Sequence, residues 1–217
     1  MTDIFFIIFQ LTALLLSVIV HEVAHGLMAL HLGDDTAKRA GRLTLNPIKH
    51  IDPLGTLILP MVLYIMHSPV LFGWAKPVPY NPNALYKDFR YGPLKVALAG
   101  PLSNIILAAI FALIIRIGSY FLSPIMIALL GSVVAINCVL AIFNILPIPP
   151  LDGSKILTTL LPSEYARKIE ALGLKGFIFV LIVLYFCSNF IFDVAMWLFY
   201  LLVGSNGFSI FIRFFSK

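Results

Sequence analysis

The chain has 217 residues, of which 60% are hydrophobic and only 12% charged, and its mean hydropathy is +1.00. Soluble domains are about half apolar and about a quarter charged, so a soluble enzyme, a disordered chain and a fibrous repeat are excluded. What remains is a polytopic membrane protein. The formal net charge of +5 comes from Lys and Arg scattered between apolar runs. They form no stripe for nucleic acid, and in a membrane protein such residues are orientation signals.

The first uncharged run is Ile4 to Val20, and helical apolar character continues to Leu32. The only charge ahead of it is Asp3, and no Ala-x-Ala site follows. A retained transmembrane helix is therefore expected rather than a cleaved signal peptide. At 1.5 Å per residue it is about 43 Å long, against a bilayer core of roughly 30 Å, so it must tilt or project. Gly33 is a natural stop.

Residues 34–52 are polar. Residues 53–72 are apolar but interrupted by Gly55, Pro60 and Pro69, and residues 73–90 are rich in proline and polar side chains. The next clean span is Val96 to Ile115, with Pro93 placed to start its helix. Ser123 and Pro124 form an N-cap and first helical position. That helix should run to about Leu146, where Pro147, Pro149 and Pro150 stop it. Residues 152–175 are polar again, with a short surface helix expected from Ser163. Residues 176–192 make a further span. Beyond Asp193 the tail is apolar but broken by Gly204 and Gly207, which leaves open whether 194–212 cross again.

The sidedness of the loops follows from Lys and Arg. If every apolar segment crosses, the basic residues split 7 against 8, which is no bias. If residues 53–72 dip in and return, twelve share one face: Lys38, Arg39, Arg42, Lys49, Lys76, Lys87, Arg90, Lys95, Lys155, Arg167, Lys168 and Lys175. Only Arg116, Arg213 and Lys217 face the other way. The second arrangement is favoured, and the Pro and Gly of 53–72 suit a segment that lines a protein cavity. The expected fold is one all-α membrane domain over residues 1–217. It has about four to six transmembrane helices and a re-entrant or β-hairpin segment between the first two full spans.

Residues 21–25 read His21-Glu22-Val23-Ala24-His25. On a helix, positions i and i+4 share a face, so two imidazoles can grip one metal ion with Glu22 beside them. Three ionisable side chains within a membrane helix are costly and mark a functional site. A catalytic zinc needs a third protein ligand and an open position. His31, His50 and His67 are lone histidines near segment ends and read as interfacial. Asp152 stands out, because it follows the proline-broken end of a span and precedes Gly153. The favoured topology puts it on the same face as His21 and His25.

These motifs carry a resemblance. HEVAHG in the first span, paired with NILPIPPLDG after a later one, is similar to the site-2 protease family of intramembrane zinc metalloproteases. AGPLSN (residues 99–104) and GWAKPVP (residues 73–79) resemble its compact branch, which lacks PDZ and CBS domains. The resemblance implies one Zn²⁺ held by His21, His25 and Asp152, with Glu22 as catalytic base. It implies that Asn144 helps to hold substrate or the developing oxyanion. It also implies a membrane-protein substrate with a transmembrane helix, no nucleic-acid partner, and a prokaryotic cytoplasmic membrane with the active site toward the cytoplasm.

A helical substrate must unwind before hydrolysis, and an extended one can pair with a strand edge. Residues 43–45 and 70–80 are the β-like pieces on the right face, and Pro77 and Pro79 suit an edge. The competing function is metal transport through the same His/His/Asp site. A carrier has no need of a glutamate directly after the first histidine, and the two halves show no inverted repeat.

Overall fold

The computed structural model describes residues 2–58, 61–62, 65–66 and 75–216. Its helices are α1 (Thr2–Leu32), α2 (Thr36–Arg39), α3 (Gly92–Gly118), α4 (Pro124–Ile145), α5 (Ser154–Leu160), α6 (Ser163–Glu170) and α7 (Gly173–Phe215). Four of them are long and apolar enough to cross a membrane: α1, α3, α4, and α7 from Ile178 onward. The chain is an all-helical integral membrane protein.

Helix boundaries follow local chemistry. α1 stops at Gly33, where φ is 115°. Pro93 occupies the first turn of α3. The Ser123 hydroxyl caps α4 by accepting from the Met126 amide at 3.4 Å, and α4 ends one residue before Leu146.

The core lies where α3, α4 and α7 meet. Ala108 and Ala112 of α3, Val134 and Cys138 of α4, and Ala195 and Phe199 of α7 are buried together. Lipid tails are as apolar as these side chains, so packing rather than the hydrophobic effect drives association within a bilayer. Small residues such as these alanines let backbones approach.

The tail turns back on the bundle. Gly204 adopts φ 81° and ψ 169°, and the chain reverses there. Phe199 and Phe211 would lie about 18 Å apart on a straight helix, yet their rings are 4.8 Å apart. The returning piece, from Gly204 to Phe215, is about 16 Å of helix. It packs Phe211 over Gly131 and Phe214 against Phe6 at 5.1 Å. Arg116 fixes the reversal, its Nε and Nη2 donating to the carbonyls of Leu202 and Leu201 at 2.7 and 2.6 Å. These are the carbonyls that a helix end leaves without partners.

The flanks of the interrupted segment meet at one end of the bundle. The Lys87 ammonium donates to the His31 carbonyl at 2.7 Å, and the Lys76 amide to the His50 carbonyl at 2.9 Å. Within the segment, Pro53–Ile58 form a π-helical turn. Much of it, with Pro60, His67 and Pro69, lies outside the described residues, as do residues 70–74 of the GWAKPVP stretch and the piece before it. Among the described residues there is no strand. Residues 43–44 form a bend, and 45 and 75–80 have no regular structure. Prolines at 77 and 79 leave 75–80 too few amide donors for a ladder, and the amides of Lys76 and Val78 are used inward. His50 also departs from expectation: it is fully buried, with Nε2 against the Thr44 carbonyl at 2.8 Å, so it braces the loop rather than facing headgroups.

Asp34 ties this end together. One carboxylate oxygen accepts from the Thr36 amide at 2.9 Å and from the Thr36 hydroxyl. The other accepts from the Asn81 amide at 2.6 Å. Burial acts to raise its pKa, but these hydrogen bonds outweigh it and hold the carboxyl below its ordinary value. A carboxylate with a lowered folded pKa contributes stability above its unfolded pKa, and loses it as pH falls through the folded value. Thermal unfolding should therefore show wild type losing stability on acidification below about pH 4. Asp34→Asn should be less stable at pH 7 and show a shallower acid decline.

Candidate metal centre

The site forms where α1 meets the turn after α4. His21 and His25 lie one turn apart on α1, and Asp152 comes in from the turn between α4 and α5. His21 Nε2 and His25 Nε2 are 3.0 Å apart. Asp152 Oδ2 stands 3.1 Å from the first and 3.3 Å from the second.

The opposite ring nitrogens set the chemistry. His25 Nδ1 lies 2.7 Å from the Val96 carbonyl. A carbonyl only accepts, so Nδ1 carries the proton and Nε2 presents a lone pair. His21 Nδ1 donates in the same way to Asn104 Oδ1 at 2.6 Å. Asp152 Oδ2 is buried with no hydrogen-bond donor among the described residues. Two imidazole lone pairs and a carboxylate oxygen thus converge without a proton to share, which is the donor set of a divalent cation. The three ligand atoms all lie within 4.8 Å of one another and could hold one metal ion.

Supports run deeper into the membrane. Asn104 Nδ2 donates to Asn137 Oδ1 at 2.8 Å, and Asn137 Nδ2 donates to Ser17 Oγ at 2.9 Å. Asn104 and Asn137 are fully buried. Outer partners of this kind orient a metal-binding histidine.

Two glycines make the approach possible. A Cβ on Gly100 would sit 2.4 Å from His25 Nε2 and 2.6 Å from His21 Cε1, so the bare backbone of α3 is the floor under both rings. A Cβ on Gly153 would lie 2.0 Å from the Ile145 carbonyl oxygen. Its amide donates to the Asn144 carbonyl at 2.7 Å, which folds the turn and aims Asp152 back at α1.

The structure therefore brings together His21, His25 and Asp152, as the motifs led one to expect. Glu22 is half-buried beside them, its Oε2 accepting from the Val78 amide at 2.8 Å. The Asn144 amide donates within its own helix to the Leu140 carbonyl at 2.9 Å, while its main-chain carbonyl holds Gly153. The support from Asn104, Gly100 and the Val96 carbonyl was missed by sequence reasoning, which used residues 99–104 as part of the family resemblance. The signal available was AGPLSN itself, a polar and glycine-bearing stretch inside an otherwise apolar span.

Comparison with known proteins agrees with this centre. The model of peptidase family M50 matches residues 118–187. The Bacillus subtilis protein YwhC, named as a zinc metalloprotease, is 40% identical over 176 residues, covering 78% of this chain and 76% of its own. Rip2 of Mycolicibacterium smegmatis, likewise named as a zinc metalloprotease, is 29% identical over 197 residues, covering 85% and 70%. No solved structure matches. By class, this is a helical membrane protein with a His/His/Asp group that could hold one metal ion. The chain belongs to the site-2 protease family of zinc metalloproteases, peptidase family M50. It is accordingly a zinc-dependent peptide hydrolase.

Removing the support should weaken metal binding without touching a donor atom. Asn104→Leu is expected to lower zinc affinity by roughly 10–100-fold. Gly100→Ala should lower zinc occupancy more severely, because its methyl group would displace both rings. Zinc content after dialysis against a graded chelator measures both.

Proposed function

We propose that the chain is an intramembrane endopeptidase that cleaves membrane-protein substrates in or beside a transmembrane helix. The observation that carries the reading is the convergence of His21, His25 and Asp152 at the loop-bearing end of a membrane-spanning helix. In this reading they hold one zinc ion, which when bound supplies the Lewis acidity that lets water attack an amide near neutral pH.

Glu22 is the general base. It follows a metal-binding histidine directly, and the Val78 amide fixes one of its carboxylate oxygens. It takes the proton of the attacking water and returns it to the leaving nitrogen. Asn144 contributes a side-chain amide toward substrate or the developing oxyanion. One of its two N–H donors is engaged by the Leu140 carbonyl, and in this reading the other serves substrate.

The active site faces the cytoplasm. His21 lies about 26 Å along α1 from Ile4, near the edge of the bilayer core where water can enter. The loops at that end hold most of the basic residues, as the positive-inside rule requires of a cytoplasmic face. The host is a prokaryotic cytoplasmic membrane in this reading, and the partners are the bilayer and a membrane-protein substrate with a transmembrane helix.

Two substitutions separate the roles. Glu22→Gln should retain fold and zinc while losing cleavage of a transmembrane peptide by several orders of magnitude. Retention of a tenth of wild-type activity, roughly a 1.4 kcal/mol effect, would overturn the base assignment. Asp152→Asn keeps the turn preference but offers zinc a neutral, weaker donor, so both metal affinity and activity should fall. For sidedness, single cysteines at Lys38 and Lys87 should both react with an impermeant maleimide only when the cytoplasmic face is open.

A further inference from the structure

Arg42 is almost fully buried, at 7% exposure, and no carboxylate lies within salt-bridge distance of it among the described residues. A buried charge without a counter-charge is costly unless its donors are used. Here Nη2 donates to the Lys76 carbonyl at 2.7 Å and to the Pro77 carbonyl at 3.4 Å. The Pro77 carbonyl and the Val78 amide belong to one peptide group. That amide is the donor to Glu22 Oε2 at 2.8 Å.

We infer that Arg42 is a positioning residue for Glu22, acting through the Pro77–Val78 peptide group. A cation on the carbonyl side of an amide polarises its N–H, and linked hydrogen bonds strengthen one another where water is excluded. The series runs from the guanidinium through the peptide group to the carboxylate, so Oε2 is held and the second oxygen is left for the water proton.

The chain around Arg42 is built to aim it. α2 ends in a Schellman turn: the Gly41 amide donates to the Lys38 carbonyl and the Arg42 amide to the Ala37 carbonyl, each at 3.0 Å. Gly41 takes φ 63°, which glycine adopts freely. Asp34 holds the other end of the segment at the Asn81 amide. Gly26, one turn beyond Glu22, leaves space for Val78 and Leu43, since a Cβ there would meet them at 2.8 and 2.6 Å. The short module 34–42 thus clamps residues 76–81 across the base.

This inference rests on Glu22 being the base, so Glu22→Gln is assayed alongside. The experiment measures kcat and KM on a transmembrane peptide that the wild type cleaves in detergent, with zinc content, for Arg42→Gln, Val78→Pro and the double variant. Arg42→Gln should lower kcat about tenfold, with KM within about twofold and zinc unchanged. Val78→Pro removes the N–H and should lower kcat at least as much.

Because both act on one hydrogen bond, the double variant should match Val78→Pro within about twofold rather than multiply the two losses. A wild-type kcat in Arg42→Gln, multiplying losses, or loss of zinc would each overturn the inference. If Arg42→Gln does not fold, Arg42→Lys carries the test: a point charge without the planar fork should lower kcat about threefold at unchanged KM, and wild-type kinetics would overturn it. If Glu22→Gln still cleaves, the base assignment itself falls. If Glu22→Gln is inactive while Arg42→Gln is fully active, only the role of Arg42 falls.

Discussion

Three lone-pair donors held 3.0 to 3.3 Å apart would repel one another unless a cation lies between them. Much of the architecture reads as the means of holding them there. Val96 and Asn104 hold the rings by their far nitrogens, Gly100 gives them room, and Gly153 turns the chain so that Asp152 returns to α1. Both histidines are held from α3, through Asn104 and Val96, while Asp152 is held by the turn at Gly153.

The long elements were legible in the sequence because membrane physics is blunt. A span needs about twenty apolar residues, and proline, serine and glycine mark its ends. Gly33, Ser123 and Pro147 each stand where a helix begins or ends. The His21/His25 pair was legible because charge inside a membrane segment has few structural excuses, and Asp152 because it follows a proline-broken span end and precedes Gly153. What could not be read was decided by packing. Asn104 and Asn137 look alike in sequence, two amides in apolar helices, yet one bonds a histidine and the other bonds Asn104 and Ser17. Where the tail turns back depended on one backbone conformation at Gly204 and on an arginine 88 positions earlier in the chain, Arg116. Strand pairing was expected of 70–80 because prolines suit an edge, but in its described part, 75–80, the amides of Lys76 and Val78 turn inward.

The centre has two separate foundations. The proposed metal ligands are braced from within the bilayer, by α3 and α4. The proposed base is braced from the loop layer at the membrane surface, by residues 76–78. Metal retention and proton transfer therefore draw on different parts of the chain. Disturbance of the loop layer, by a regulator or a substrate, can alter turnover while leaving the metal in place.

The ladder from His21 through Asn104 and Asn137 to Ser17 runs toward the middle of the bilayer, where no water can replace a missing partner. An amide left alone there is worse than no amide at all. Across the family's history these three positions should then change as a set. Lineages that lost one rung should have lost the others with it, substituting apolar side chains and finding another acceptor for the histidine proton.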